Sequence, residues 1–298
     1  MAENTITGLI PEIYEALDIV SRELTGMIPS ATMNASANEA SVGQAIRVDV
    51  EPAGNVSNIT PAMVVPDPTG QTSGFTDIII TKSRAAEFGF NGEDQKGLNT
   101  GAGYGTVRAN KIAQAIRALT NEVETDLCGL QSTFSRAHGT AGTAPFGTAN
   151  DYTDASNVLK ILKDNGSPLQ DNQLVINTTA GVNLLGKQAA VADAGSDSIL
   201  RQGVLLDING MPIRESAQVN TSTSGTSANA VTTAGHAVGI TSIVLKAGGT
   251  GTIVAGDVIT FAGDTNQYVV TTGVAAVSGA TIVIAAPGLR QALPVGDK

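Results

Sequence analysis

One segment constrains this chain more than any other. Ile112, Ile116, Leu119, Val123, Leu127, Leu130 and Phe134 recur at steps of four, three, four, four, three and four, with no proline and only Gly129 as a glycine among them. That spacing lays seven apolar side chains along one stripe of an α-helix. A helix over about Thr106–Arg136 would run some 45 Å at 1.5 Å per residue, well beyond the roughly 11–12 residues of an average globular helix. The rest of the chain has to be arranged along such an element. Its entry, Gly101-Ala-Gly103-Tyr-Gly105-Thr106, has neither the spacing of a dinucleotide fingerprint nor the Gly-Lys-Ser/Thr of a P-loop. It therefore reads as a hinge or helix entry and not as a phosphate cradle. Cys128 lies beside the stripe and reads as a small buried hydrophobe, not a nucleophile.

Either side of this helix the pattern changes. Residues 5–28 carry apolar side chains at helical spacing from Ile6 to Met27, and Pro29 marks the stop. Two alternating runs, Ala45–Val50 and Thr76–Thr81, read as strands, and between them Pro52, Gly54, Pro61, Pro66, Pro68, Gly70 and Gly74 forbid a core strand or a helix. The expectation is two strands flanking an excursion of roughly 25 residues, a length that usually signals function or interaction. Downstream, Thr153–Lys163 reads as a helix ended by Asn165-Gly166, Gln173–Asn177 as a buried strand, and Thr178–Leu185 as a helix capped by Thr178 or Thr179. Gly203–Ile213 reads as strand, turn and strand across Asn209-Gly210. From Val219 a polar stretch to Gly225 reads as a flexible linker. Beyond it Ala237–Leu245, Thr252–Val254, Asp257–Phe261, Tyr268–Thr272 and Thr281–Ala285 are short β-branched runs separated by turns, the pattern of a small autonomous barrel or sandwich.

Composition excludes several function classes. The 298 residues carry a net charge of −10 with no Lys/Arg cluster, which argues against a nucleic-acid footprint. One cysteine and two histidines leave little for a transition-metal site or a disulfide, so no metal and no cofactor is expected. No signal peptide opens the sequence and nothing approaches the roughly 18 apolar residues of a membrane span, so a soluble protein made in a cytoplasm is expected. His138 follows the long helix, where the helix dipole would favour a cationic imidazole, but no G-x-S-x-G elbow accompanies it. His236 has no ligand at metal spacing, and the acids Glu93-Asp94 and Glu122/Glu124/Asp126 read as solvated faces or ion pairs. No catalytic, cofactor-binding or metal-binding residue is therefore assigned, and the chain is not expected to be an enzyme.

The segments Ser135-Arg136-Ala-His-Gly-Thr140-Ala-Gly-Thr-Ala-Pro145-Phe146, Leu200-Arg201-Gln202-Gly203-Val-Leu-Leu206, Ile213-Arg214-Glu215-Ser216-Ala217 and Val258-Ile-Thr-Phe261-Ala-Gly-Asp264-Thr-Asn-Gln-Tyr268-Val-Val resemble the major capsid (coat) proteins of tailed bacteriophages. In particular they resemble the podovirus-type coat proteins that carry an inserted β-barrel domain on the Hong Kong 97-type capsid fold. The resemblance spans nearly the whole chain and is most specific at 135–146 and 257–270. It implies an α+β fold with an N-terminal arm at 1–44, an E-loop with its flanking strands at 45–100, and a peripheral domain with a spine helix at 101–149. An axial domain at 150–218, an inserted small all-β barrel at 219–290 and a C-terminal tail at 291–298 complete it. In that family the chain returns after the insertion to add a final segment, whereas this sequence stops at Lys298.

The function so implied is self-assembly into hexamers and pentamers of an icosahedral shell enclosing double-stranded DNA, inside the bacterial host cytoplasm and then in the virion. Scaffolding and portal proteins are the implied partners, with room for a decoration protein, no sequence-specific nucleic-acid binding and no membrane. The alternative is a β-rich surface-layer or adhesin-type binding protein, against which the long helix and the missing signal count. If the excursion Pro52–Gly74 is the E-loop, it is expected to gain hydrogen-exchange protection when subunits assemble; equal protection in dispersed and assembled protein would overturn that.

Overall fold

The long apolar stripe folds as a helix. In the computed structural model, which describes residues 24–32, 41–51, 73–89, 92, 104–148, 151–187, 205, 207–228, 230–232 and 235–293, helix α1 runs Tyr104–Cys128 and a 3-10 segment continues it through Gly129–Thr133. Together they reach about 47 Å by their rises per residue. The helix stops three residues short of Arg136 because Phe134 turns extended (φ −69°, ψ 144°) to begin β3 (Arg136–Ala137). Among the described side chains of the stripe, Ile112 is buried and Ile116 packs beside it, while Val123, Leu130 and Phe134 are exposed. The helix is thus only partly covered by its own chain.

Strands β1 (Ala45–Val50) and β2 (Gly74–Ile79) form an antiparallel ribbon in register from Ala45↔Ile79 to Val50↔Gly74. The second strand begins two residues earlier than its sequence suggests, because Gly74 pairs with Val50. Most of the excursion it bounds, residues 52–72, lies outside the described residues, as do residues 1–23 of the expected N-terminal helix and the family-like run 200–204. Where that first helix was expected to continue, 24–27 are not helical and Ile28–Ser30 form a single 3-10 turn. After the ribbon the chain crosses α1, with Lys82 Nζ 2.6 Å from Asp126 and Arg84 Nε 2.8 Å from Glu122.

A small α/β unit follows. Helix α2 (Thr153–Asp164) ends as its sequence demands: Ser167 N–H donates to Leu162 O and Gly166 N–H to Lys163 O, with Gly166 at φ +75°. Strand β4 (Leu174–Ile176) pairs in parallel with β5 (Ile213–Glu215), and helix α3 (Thr178–Lys187) lies in the connection between them. The cap of α3 is Asn177, whose Oδ1 accepts from Ala180 N–H at 2.8 Å, and not Thr178 or Thr179. Of the strand-turn-strand expected at 203–213, the described residues show one bridge, Ile208↔Met211, around Asn209 and Gly210, both at positive φ as a type I′ turn requires. Phe146, Ala155, Ile176, Ala180, Leu184 and Met211 fill this core.

The largest core belongs to the C-terminal β structure. Strands β6 (Ser242–Val244), β7 (Val258–Thr260), β8 (Gln267–Thr272) and β9 (Thr281–Ile284) match four of the five expected runs, and the fifth is reduced to the bridge Ile253↔Val274. The barrel does not close. The sheet runs β3-β8-β9-β6 with β7 on the other side of β8, a curled half-barrel bent at the bulge between Val270 and Thr272. Nor is this unit self-contained, because β3 enters it directly from the end of α1. The expected flexible linker is fixed too: Gly225 N–H donates to both carboxylate oxygens of Asp257 at 3.1 Å, while Val254 N–H donates to Asp257 Oδ2 at 2.8 Å.

Gly225 lies so close to its neighbour that a Cβ there would sit 2.2 Å from Thr252 O, a backbone atom. Gly225→Ala is expected to cost roughly 1–3 kcal/mol. Gly129→Ala, where a Cβ meets nothing within 4 Å, is expected to be neutral or to stabilise by up to about 1 kcal/mol. Urea unfolding of the two variants against the parent checks both signs.

Candidate assembly interface

Three features bear on what the chain can do: a buried carboxylate on α1, a buried guanidinium after it, and a two-stranded ribbon. Glu124 sits on α1, fully buried, and takes three backbone N–H groups of the N-terminal segment. Gly26 and Met27 donate to Oε1 at 2.7 and 2.8 Å, and Ile28 to Oε2 at 3.0 Å. Three converging N–H donors replace the hydration that a buried carboxylate loses. Burial pushes its carboxyl up, yet hydrogen bonds from Met27, Ser216, Ile28 and Gly26 outweigh that and hold it below the usual carboxylate value. Gly26 itself leaves no room for a side chain, since a Cβ would lie 2.6 Å from Val175 on β4. The N-terminal segment is thereby wedged between α1 and the parallel strand pair. The acidic run on α1 therefore divides: Glu122 and Asp126 are the expected surface ion pairs, whereas Glu124 is an internal anchor. Cys128, 4.0 Å from Ser216 Oγ, is half-buried, with its thiol pushed up first by burial and further by the Glu124 charge, so it stays a thiol.

Arg136 ties the parts together. Its side chain is 4% exposed. It donates to Asp164 at 3.3 Å, to Asn165 Oδ1 at 3.2 Å and to Ile161 O at 3.3 Å at the end of α2, and to Asn266 Oδ1 at 2.8 Å in the β unit. Next to Asn266, Asp264 accepts from Asn266 N–H and Nδ2 and, at 2.7 Å, from the hydroxyl of fully buried Tyr268. That hydroxyl accepts in turn from Arg290 N–H at 2.9 Å. Burial and then the Asp264 hydrogen bond push the Tyr268 hydroxyl up to about 12, while Asp264, raised by burial, is brought below its ordinary value by Tyr268, Asn266 and Arg136. Composition and motif searches gave these residues no role. The only signal was that Arg136 and Asp264–Tyr268 fall in the two segments where the family resemblance is most specific, and the register Arg136↔Tyr268 pairs those segments.

Strands β1 and β2 pack chiefly on each other, with no extensive contact to another described element. Its register places Ile46, Val48, Val50 and Ile78 on one face and Arg47, Asp49, Phe75, Asp77 and Ile79 on the other. On the second face Arg47 pairs with Asp77 at 3.3 Å and lies 3.6 Å above the Phe75 ring. On the first face nothing polar but Thr76 intervenes, and Val50 and Ile78 are exposed. An isolated two-stranded ribbon is marginal in water, so this apolar face asks for cover.

Between the 137–148 loop, α2, β4 and the β unit lies an open groove of about 1070 Å³ lined by His138, Asp154, Asn177, Asp257 and Gln267 among others. His138 borders it, beyond β3 and not on the helix end. His236 is buried in a bridge to Leu293, with N–H to O distances of 2.9 and 3.0 Å. Glu93-Asp94 and Gly101–Gly103 lie outside the described residues. Among the described residues no three His, Cys, Asp or Glu side chains gather as a metal set, and no helix is long and apolar enough to cross a membrane.

Because the folded carboxyl of Glu124 is depressed, its contribution is present above the unfolded carboxylate pKa and is lost as pH falls through the folded value. Glu124→Gln is expected to cost about 1–3 kcal/mol at pH 7 and to flatten the acid limb of stability; urea unfolding from pH 7 down to pH 3 reads both.

No family model matches the chain, and no curated protein matches it. In fold it is similar to a solved chain from Mycobacterium phage Che8, with a TM-score of 0.50 at 14% sequence identity over 88% of this chain and 91% of that one. The chain thus shares, across most of its length, a mixed helix-and-sheet fold with a protein of a bacteriophage.

Proposed function

We propose that this chain is a major capsid protein of a tailed bacteriophage, built on the Hong Kong 97-type fold, which assembles through hexamers and pentamers into an icosahedral shell around double-stranded DNA. The observation that carries the reading is the ribbon: two strands with an apolar face on which Val50 and Ile78 are exposed, and with no extensive contact to another described element. A monomer gains nothing from such an element, whereas a lattice of identical copies gives each ribbon a neighbour to lie on. The exposed apolar stripe of α1 at Val123, Leu130 and Phe134 fits the same demand. So does the likeness in fold to a phage chain over most of both lengths.

In this reading α1 is the spine, the α/β unit the axial domain, and the curled sheet the inserted domain. The mechanism is geometric, with no catalytic step. The net charge of −10 keeps the inner wall from adhering to the packaged genome. Assembly would take place in the bacterial cytoplasm with scaffolding and portal proteins, and the finished shell could carry a decoration protein.

Negative-stain microscopy of the expressed full-length chain is expected to give closed shells or capsomer sheets; monodisperse monomers at all concentrations would overturn the reading. Val50→Asp with Ile78→Asp is expected to abolish assembly while shifting subunit stability by no more than about 0.5 kcal/mol, as for surface substitutions.

A further inference from the structure

We propose that His138, Asn157 and Asp154 form a protonation-gated clasp on the loop that walls the groove. Asp154, on the first turn of α2, engages both ends of this loop. Its Oδ2 accepts the Phe146 N–H at 2.7 Å, and its Oδ1 stands 3.7 Å from His138 Nε2. Phe146 is buried at φ +59°, a conformation that its amide contact to Asp154 holds. His138 Nε2 is also 3.0 Å from Asn157 Nδ2, one turn along the same helix.

These contacts exclude one another. A neutral imidazole carrying its proton on Nδ1 accepts from the Asn157 amide through Nε2 and has nothing there to give Asp154. A cationic imidazole carries a proton on Nε2, so Asn157 Nδ2 can no longer donate to it, and Asp154 Oδ1 becomes the partner it is drawn to. The clasp thus has two discrete arrangements: imidazole on Asn157 when neutral, imidazole on the carboxylate that holds Phe146 when charged. Among the described residues, Asp154 faces it from α2; Asp257, across the groove ahead of β7, is taken up by Gly225 and Val254; Arg136, two residues earlier on β3, is turned to Asp164 and Asn266; and Lys187 on α3 is held by Thr148 O at the far end of the loop. The loop's other ties are Gln267 Nε2 to Gly139 O, Asn183 Nδ2 to Pro145 O and the Lys187 ammonium to Thr148 O; none of them includes His138 or Asp154, so the proton on His138 is the variable that the clasp reads. Acidification would tighten this wall of the groove and a rise in pH would release it, independently of whether the chain forms shells.

The test is an NMR titration of the full-length chain from pH 8 to pH 5, following the His138 ring, the Asn157 side-chain amide and the Phe146 backbone amide. The clasp predicts that all three move with one midpoint. His138→Gln should abolish the movement of Asn157 and Phe146, and Asp154→Asn should abolish that of Phe146 while the His138 ring still titrates. An Asn157 and Phe146 that stay fixed while the His138 ring titrates, or that still move in His138→Gln, would overturn it.

Discussion

A single buried guanidinium holds the parts of this chain in one arrangement. Arg136 comes directly after the long helix, and its hydrogen bonds reach the end of α2 on one side and Asn266 of the curled sheet on the other. A charge with its side chain 4% exposed depends on its partners: removing Asp164 takes away its counter-charge, and removing Asn165 or Asn266 takes away a hydrogen bond to a charged group, worth roughly 1.5–3 kcal/mol. The arrangement is therefore close to all-or-none. The strand that carries Arg136 also hydrogen-bonds β8, which makes the helix, the α/β unit and the sheet one body and not beads on a string.

Glu124 does for the N-terminal segment what Arg136 does for the C-terminal one. Each is a charged side chain that satisfies groups distant in sequence: Gly26 lies 98 residues from Glu124, and Asn266 lies 130 from Arg136. Both sit on or just beyond α1, so the helix works less as a core element than as a rail to which the remote segments are fastened. Its apolar stripe leaves Val123, Leu130 and Phe134 exposed, and the ribbon's apolar face leaves Val50 and Ile78 exposed. Internal fastening by polar groups with apolar surface left over is what a subunit needs if its remaining burial is to come from other copies.

Periodicity carried much of the fold. The stripe from Ile112 to Phe134 announced α1, the Asn165-Gly166 pair announced the end of α2, and Asn209-Gly210 announced the turn before β5, because each depends on geometry within a few residues. Where the sequence misled, long-range contacts had overruled local preference. A helix was expected to reach residue 28, yet 24–27 are not helical, and the N–H groups of 26–28 are claimed by Glu124. Gly225 looked like a linker by composition, yet Asp257, 32 residues on, pins it. The curled sheet takes one of its strands, β3, from outside the C-terminal region, a pairing of residues about 130 apart that no local pattern signals.

What the sequence by itself determined is the long helix, the end of α2, the turn before β5 and four strands of the C-terminal sheet, since helix stripes, strand alternation and turn residues are written in neighbouring positions. The tertiary structure alone decided which charges are internal. Nothing local distinguishes Glu124 from Glu122 two residues earlier, or Arg136 from any arginine after a helix, because burial and partnership are properties of what folds back against them. The same holds for the ribbon: alternation predicts two strands, but only the folded chain sets the register that puts Val50 and Ile78 on one exposed face.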